Sequence, residues 1–193
     1  RAEEPLVALV GYTNAGKSTL FNRLSESEVY AADQLFATLD PTLARIDVDG
    51  LGGLIIADTV GFIADLPHTL VEAFRATLEE TLSASLLLHV IDVVADDRDM
   101  IKSEVESVLS EIGAGDIPQL IVFNKIDLLE REPKTIRNAD GEIEAVSVSA
   151  VQGLGFDHLR EAIRERLAGS LFRGVIVLGA EHGKLRSELY AMG

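Results

Sequence analysis

The residues Gly11-Tyr12-Thr13-Asn14-Ala15-Gly16-Lys17-Ser18 read G-x-x-x-x-G-K-S. That spacing suits one task, the wrapping of a phosphate chain. Glycines let the backbone approach phosphate oxygens with no Cβ in the way. The N–H groups of such a loop, and the start of the helix behind it, then meet negative charge. Lys17 is placed to reach the β- and γ-phosphates and the Ser18 hydroxyl to ligate Mg²⁺. Gly11, Ala15, Gly16 and Thr19 complete the cradle. A glycine turn without a ligand can show the same short pattern, so the rest of the chain has to decide.

Further along, Asp58-Thr59-Val60-Gly61 closes a strand-like run. An aspartate there can hold Mg²⁺ directly or through water, and Gly61 can offer its N–H to a γ-phosphate. Asn124-Lys125-Ile126-Asp127 closes another such run. The Asp127 carboxylate can accept hydrogen bonds from N1–H and the 2-amino group of guanine. Adenine has neither donor and would leave a buried carboxylate unpaired, which is a penalty. Asn124 and the stem of Lys125 would brace this loop and cover the base, and N–H groups at Ser149-Ala150 could meet the guanine 6-oxygen. Each short motif alone reads equally well as a strand-end turn. In this order, each at a loop where ligands bind in a doubly wound sheet, they describe a guanine-nucleotide domain.

The elements that must hold these loops are legible from hydrophobic period. Leu6–Val10 is an apolar strand, and Leu20, Phe21 and Leu24 lie on one side of the helix that follows. Leu43–Val48 and Leu54–Ala57 form a hairpin around the turn residues 49–53. Leu70, Phe74, Leu78 and Leu82 recur every four residues and predict a helix. Leu86–Ile91 is a buried strand whose His89 reads as a core histidine. Ile101 to Ile112 is helical and stops at Gly113, and 119–123 is a strand. Residues 130–141 read as a short helix and a loop, 143–148 as the sixth strand, and Leu159 to Leu167 as a closing helix. The fold class is α/β, a P-loop NTPase with a doubly wound, mostly parallel six-stranded sheet flanked by helices, over residues 1–168. The irregular connection 25–42 is long enough to be functional in its own right. A strand at 174–178 and a helix over 185–192 read either as an appendage of the main domain or, the favoured reading, as the start of a further, C-terminal domain over residues 169–193. The start at arginine suggests a piece of a longer protein.

An apolar fraction of 47% supplies a sizeable core. The formal net charge of −15 makes this domain a poor electrostatic partner for nucleic acid. The absence of cysteine rules out disulfides, thiol nucleophiles and cysteine metal sites, which fits a reducing compartment and a cytoplasmic location. No apolar run reaches membrane-spanning length and no signal-peptide pattern opens the chain.

The arrangement resembles the translation-factor-like GTPases over residues 4–168, and within them the HflX family. The similarity is carried by Gly-Tyr-Thr-Asn-Ala-Gly-Lys-Ser-Thr-Leu-Phe-Asn (11–22), Leu-Phe-Ala-Thr-Leu-Asp-Pro-Thr (35–42), Asp-Thr-Val-Gly-Phe-Ile (58–63) and Leu-Pro-His-Thr-Leu-Val-Glu-Ala-Phe (66–74). The run Gly-Lys-Leu-Arg-Ser-Glu-Leu-Tyr (183–190) resembles the passage into that family's C-terminal domain. The resemblance implies GTP binding and hydrolysis to GDP, and binding to the large ribosomal subunit with splitting of ribosomes under stress. It implies that docking lies in domains outside this chain. It assigns Lys17 and Ser18 to phosphate and Mg²⁺, Thr38 to the switch I threonine on Mg²⁺ with Thr42 as the alternative, Asp58 and Gly61 to switch II, and Asn124, Lys125, Asp127, Ser149 and Ala150 to guanine.

The catalytic reading has one gap. Many small GTPases orient the attacking water with a glutamine just after D-x-x-G, but here that residue is Phe62. Slow intrinsic turnover follows, relieved either by a partner that rearranges the switches or by K⁺. Asn14 reads as a polar loop residue or, as in related GTPases with asparagine here, as a K⁺ ligand beside the phosphates. Two other functions share these motifs: a nucleotide-gated binding module with incidental hydrolysis, and the cytosolic domain of a ferrous-iron transporter.

Overall fold

The computed structural model describes residues 4–25, 42–59 and 81–171, with side chains to residue 168. Thr38, Gly61 and Phe62, most of the helix predicted over 70–82, and the strand and helix predicted after residue 172 lie outside the described residues. Thr81 and Leu82 are helical.

The chain runs β1 (Leu6–Val10), α1 (Lys17–Ser25), β2 (Thr42–Val48), β3 (Gly52–Asp58), β4 (Leu86–Asp92), α2 (Arg98–Glu111), β5 (Gln119–Asn124), a 3₁₀ turn (Ile126–Leu129), β6 (Thr135–Arg137), β7 (Ile143–Ser147) and α3 (Phe156–Leu171). The strands form one sheet in the order β2-β3-β1-β4-β5-β7-β6. β3, β1, β4, β5 and β7 are mutually parallel, while β2 and β6 pair antiparallel at the two ends.

Period-2 alternation splits the apolar strands between two layers. Val7 and Leu9 of β1, with Leu86, Leu88 and Val90 of β4 and Leu120 and Val122 of β5, face the larger layer. There they pack with Leu20, Phe21 and Leu24 of α1 and Leu159, Ala162, Ile163 and Leu167 of α3. Ala8, Val10, Ala57 and Leu87 face the other way, against Val105 and Leu109 of α2. Full burial of one leucine side chain contributes about 2 kcal/mol. α2 ends where Gly113 takes φ +85° and Ala114 N–H closes back on Leu109 O at 2.7 Å.

Among the described residues the sheet has seven strands rather than the expected six. The addition is β6, inside the stretch 130–141 read as a short helix and a loop; the helical piece is the 3₁₀ turn just before it. Three residues, Thr-Ile-Arg, are too short to show a period. Their strand conformation comes from pairing with β7, with a register shift between Ile136 and Arg137. The Arg137 guanidinium then donates to both Glu165 carboxylate oxygens on α3, at 2.7 and 2.9 Å.

Candidate nucleotide site

The site lies at the carboxyl ends of the parallel strands, where β1, β3, β4, β5 and β7 deliver their following loops. Leaving β1, Gly11 takes φ +144°, and a Cβ there would stand 2.3 Å from Val90 O of β4. Gly16 takes φ +93°, and a Cβ there would stand 2.3 Å from Asn124 Nδ2. Both positions therefore need glycine, for conformation and for space. Asn14, at φ +60° and exposed, occupies the left-handed region that asparagine tolerates.

The loop curls around Lys17. Its ammonium donates to Gly11 O at 3.1 Å and Tyr12 O at 2.9 Å and is only 6% exposed. Burial lowers its pKa to about 8, and the charge of Asp58 opposes that fall. Asp58 ends β3, is buried, and stands in register with Leu9 on one side and Thr42 on the other. Ser18 and Thr19 fall in the first turn of α1, whose Leu20 N–H makes a bond back to Gly16 O at 2.9 Å. A serine hydroxyl and a carboxylate are hard oxygen donors that suit Mg²⁺. Among the described residues there is no group of three or more His, Cys, Asp or Glu fit to hold a metal. Ser18 and Asp58 are the described residues that would offer such oxygens to a Mg²⁺ beside the phosphates.

Asn124 ties the two halves of the site together. Its Nδ2 donates to Ala15 O at 2.9 Å, and its Oδ1 accepts from Ala150 N–H at 3.0 Å. Lys125 follows in the left-handed region at φ +69° and turns the chain into the 3₁₀ turn that carries Asp127. One carboxylate oxygen of Asp127, Oδ1, is buried and has no hydrogen-bond partner. An orphaned acceptor here is what the guanine reading requires, because N1–H and the 2-amino group would satisfy it.

The structure gives Ser149 and Ala150 a different local role from the one expected. The Ala150 N–H is bound to Asn124, and the Ser149 N–H donates to Leu154 O at 3.0 Å, so both N–H groups bond within the protein. The Ser149 hydroxyl accepts from Gln152 N–H at 3.1 Å and shapes the turn that follows. Three neighbours of the candidate site escaped the sequence reading. Arg23 of α1 donates to Ala150 O at 3.3 Å and Val151 O at 2.7 Å. The Thr59 hydroxyl donates to Leu9 O at 2.5 Å, anchoring the exit of β3 to β1. Asp92 meets the Lys125 ammonium at 2.6 Å. Only Asp92 left a signal, as a carboxylate at the end of the strand beside N-K-x-D. No helix among the described residues is long and apolar enough to cross a membrane.

The family model described as 50S ribosome-binding GTPase matches residues 6–125, from β1 through Lys125. GTPase HflX of Escherichia coli (strain K12) is 55% identical over 194 residues, covering 100% of this chain and 45% of that protein. GTPase HflX of Caldanaerobacter subterraneus subsp. tengcongensis is 51% identical over 163 residues, covering 84% of this chain and 37% of that protein. The chain thus spans less than half the length of these relatives. A crystal structure of a GTP-binding protein from the hyperthermophilic archaeon Sulfolobus solfataricus in complex with GDP is similar in fold. Its TM-score is 0.63 at 25% identity, covering 86% of this chain and 53% of that one. A phosphate loop, a strand-end aspartate and an N-K-x-D turn built on this sheet agree with those matches: the chain belongs to the 50S ribosome-binding GTPase family and is a P-loop GTPase domain of the HflX kind.

Proposed function

We propose that this domain binds GTP with Mg²⁺ and hydrolyses it to GDP and phosphate, and that the longer protein uses the cycle to bind the large ribosomal subunit and split ribosomes in the cytoplasm. The observation that carries the nucleotide reading is the buried, unpartnered Oδ1 of Asp127, beside an Asn124 that links the phosphate loop to the Ser149-Ala150 turn. Lys17 would exchange its bonds to Gly11 O and Tyr12 O for phosphate oxygens. Ser18 and Asp58 would hold Mg²⁺. Ala15, Gly16 and Thr19 would line the phosphates, and Ser149 and Ala150 would floor the base pocket.

For the switch, Thr42 is fixed in the β2–β3 ladder opposite Asp58, so it moves with the sheet. That supports Thr38 as the threonine that reaches Mg²⁺ in the GTP state, with Gly61 reporting the γ-phosphate. Phe62 cannot orient water by hydrogen bonding, so intrinsic turnover is slow. A partner or K⁺ at Asn14 would accelerate it. The net charge of −15 supports ribosome docking through other parts of the protein, with residues 169–193 leading into one of them.

Asp127→Asn should move preference from GTP toward xanthine nucleotides, and unchanged GTP affinity would refute the base assignment. Hydrolysis in KCl and in NaCl tests the cation, since equal rates would remove K⁺. Titrating large ribosomal subunits into the GTPase assay tests the partner. Strong stimulation would place activating contacts on this domain, and none would assign them to the rest of the protein.

A further inference from the structure

We propose that Asp92 is a positioning residue for the base-binding loop: by holding the Lys125 ammonium it keeps the N-K-x-D turn in its ligand-ready shape, so guanine-nucleotide residence depends on a carboxylate that touches no nucleotide. The inference rests on the guanine-nucleotide reading above.

β4 and β5 run parallel with Asp92 in register with Asn124. The two strand ends are also joined beyond the ladder, where Val93 N–H donates to Asn124 O at 3.1 Å. Asp92 is therefore fixed relative to the residue that immediately precedes Lys125. Its carboxylate is held at both oxygens: Oδ1 accepts from Val94 N–H at 3.0 Å, and Oδ2 accepts from Lys125 Nζ at 2.6 Å.

Lys125 needs such a partner for two reasons. Its backbone is left-handed at φ +69°, a conformation that a side chain with a Cβ resists. Its four-carbon stem would otherwise sample many rotamers, and a stem that is to cover a base must give up that freedom on binding. The pair is only part-exposed, 28% at Lys125 and 21% at Asp92, so solvent screens it less than an ordinary surface pair. Asp92 thus orders the lysine before the ligand arrives. Loss of that order should appear as faster dissociation, because the cover over the base loosens.

The test uses the chain as it is, with fluorescent GDP and stopped-flow dissociation, for wild type, Asp92→Asn, Asp92→Glu, Lys125→Ala and the Asp92→Asn/Lys125→Ala double variant. Freeing one long side chain predicts roughly threefold to tenfold faster dissociation in Asp92→Asn, with association little changed. Asp92→Glu should recover part of the loss. In the Lys125→Ala background the second substitution should add almost nothing. Equal dissociation in wild type and Asp92→Asn, or the same factor in both backgrounds, would overturn the inference. So would a lowered thermal midpoint of the nucleotide-free chain with unchanged dissociation, which marks a purely structural ion pair. Asp127→Asn in the same assay separates the two levels. If it weakens GDP and Asp92→Asn does not, only the present inference fails. If wild type binds no GDP, the guanine reading itself fails.

Discussion

His89 should make this domain acid-sensitive, by an amount the structure sets. It sits in β4 with no exposed surface, in register between Val10 and Ile121, and neither ring nitrogen makes a hydrogen bond of regular geometry, the Gln119 side chain being a polar neighbour. Burial pushes its pKa down from 6.5 to about 4. Glu106 on α2 and the Gln119 side chain offset part of that fall, while Lys102 and Lys17 add to it. The folded state therefore keeps the imidazole neutral, while the unfolded chain takes up a proton below pH 6.5. Stability is unaffected above that pH, falls as pH drops through the window down to about 4, and is flat below it. At 1.36 kcal/mol per pKa unit the whole loss is about 3 kcal/mol, of which about 2 kcal/mol appears between pH 7 and pH 5. His89→Leu replaces the imidazole with an apolar side chain of similar size and removes two buried polar nitrogens. It should be at least as stable as wild type at pH 7. Urea unfolding of both proteins at pH 7, 6 and 5 subtracts the titration of every other group. The stability gap should widen by about 2 kcal/mol on acidification. A constant gap would refute the reasoning. So would a histidine resonance titrating near 6.5 that the substitution abolishes; with four histidines in the chain the assignment is direct.

Other outcomes follow from the site. With the Lys17 pKa at about 8 in the free protein and phosphates holding the proton on in the complex, GDP affinity should be level up to pH 8. Above that it should fall about tenfold per pH unit; a level profile to pH 9.5 in a binding titration would contradict the buried-lysine account. Asn124→Ala orphans Ala15 O and Ala150 N–H, and should cost about 2–4 kcal/mol of stability in the nucleotide-free chain. A loss below about 0.5 kcal/mol in urea melts would show that the bridge is idle without ligand. Gly16→Ala should be strongly destabilising in wild type, yet less so in the Asn124→Ala background, because part of its cost is the collision with Asn124 Nδ2. Additive losses would place the whole cost in the φ of +93°.

What could be read from the sequence was whatever is local. Leu6–Val10, Leu86–Ile91 and Gln119–Phe123 are apolar runs flanked by loop residues, and each is a strand within a residue of its expected bounds. Gly11, Gly16 and Asn124 were legible as candidate site residues because short motifs name them, and the structure shows a conformational or bridging need for each type. The features that escaped depend on tertiary partners. β6 has no pattern of its own and exists because β7 accepts it. The bond from Ala150 N–H to Asn124 joins positions 26 residues apart, and Arg23 reaches Val151 O across 128 residues. Neither separation leaves a local trace. His89 was legible as a core histidine from the apolar run around it, but the lack of regular hydrogen bonds at its ring nitrogens was not, because that depends on what α2 and β5 place nearby.

The modest strand β6 also bears on solubility. A sheet edge exposes backbone donors and acceptors that can recruit a strand from another molecule, and β7, Ile143–Ser147, is rich enough in β-forming residues to serve as such a template. β6 occupies that edge with three residues, breaks its own register between Ile136 and Arg137, and places a charged guanidinium, clamped by Glu165, at the point of approach. An incoming chain would find too few groups in register to continue the ladder. By ending the sheet this way, β6 protects the domain from associating through its own strands.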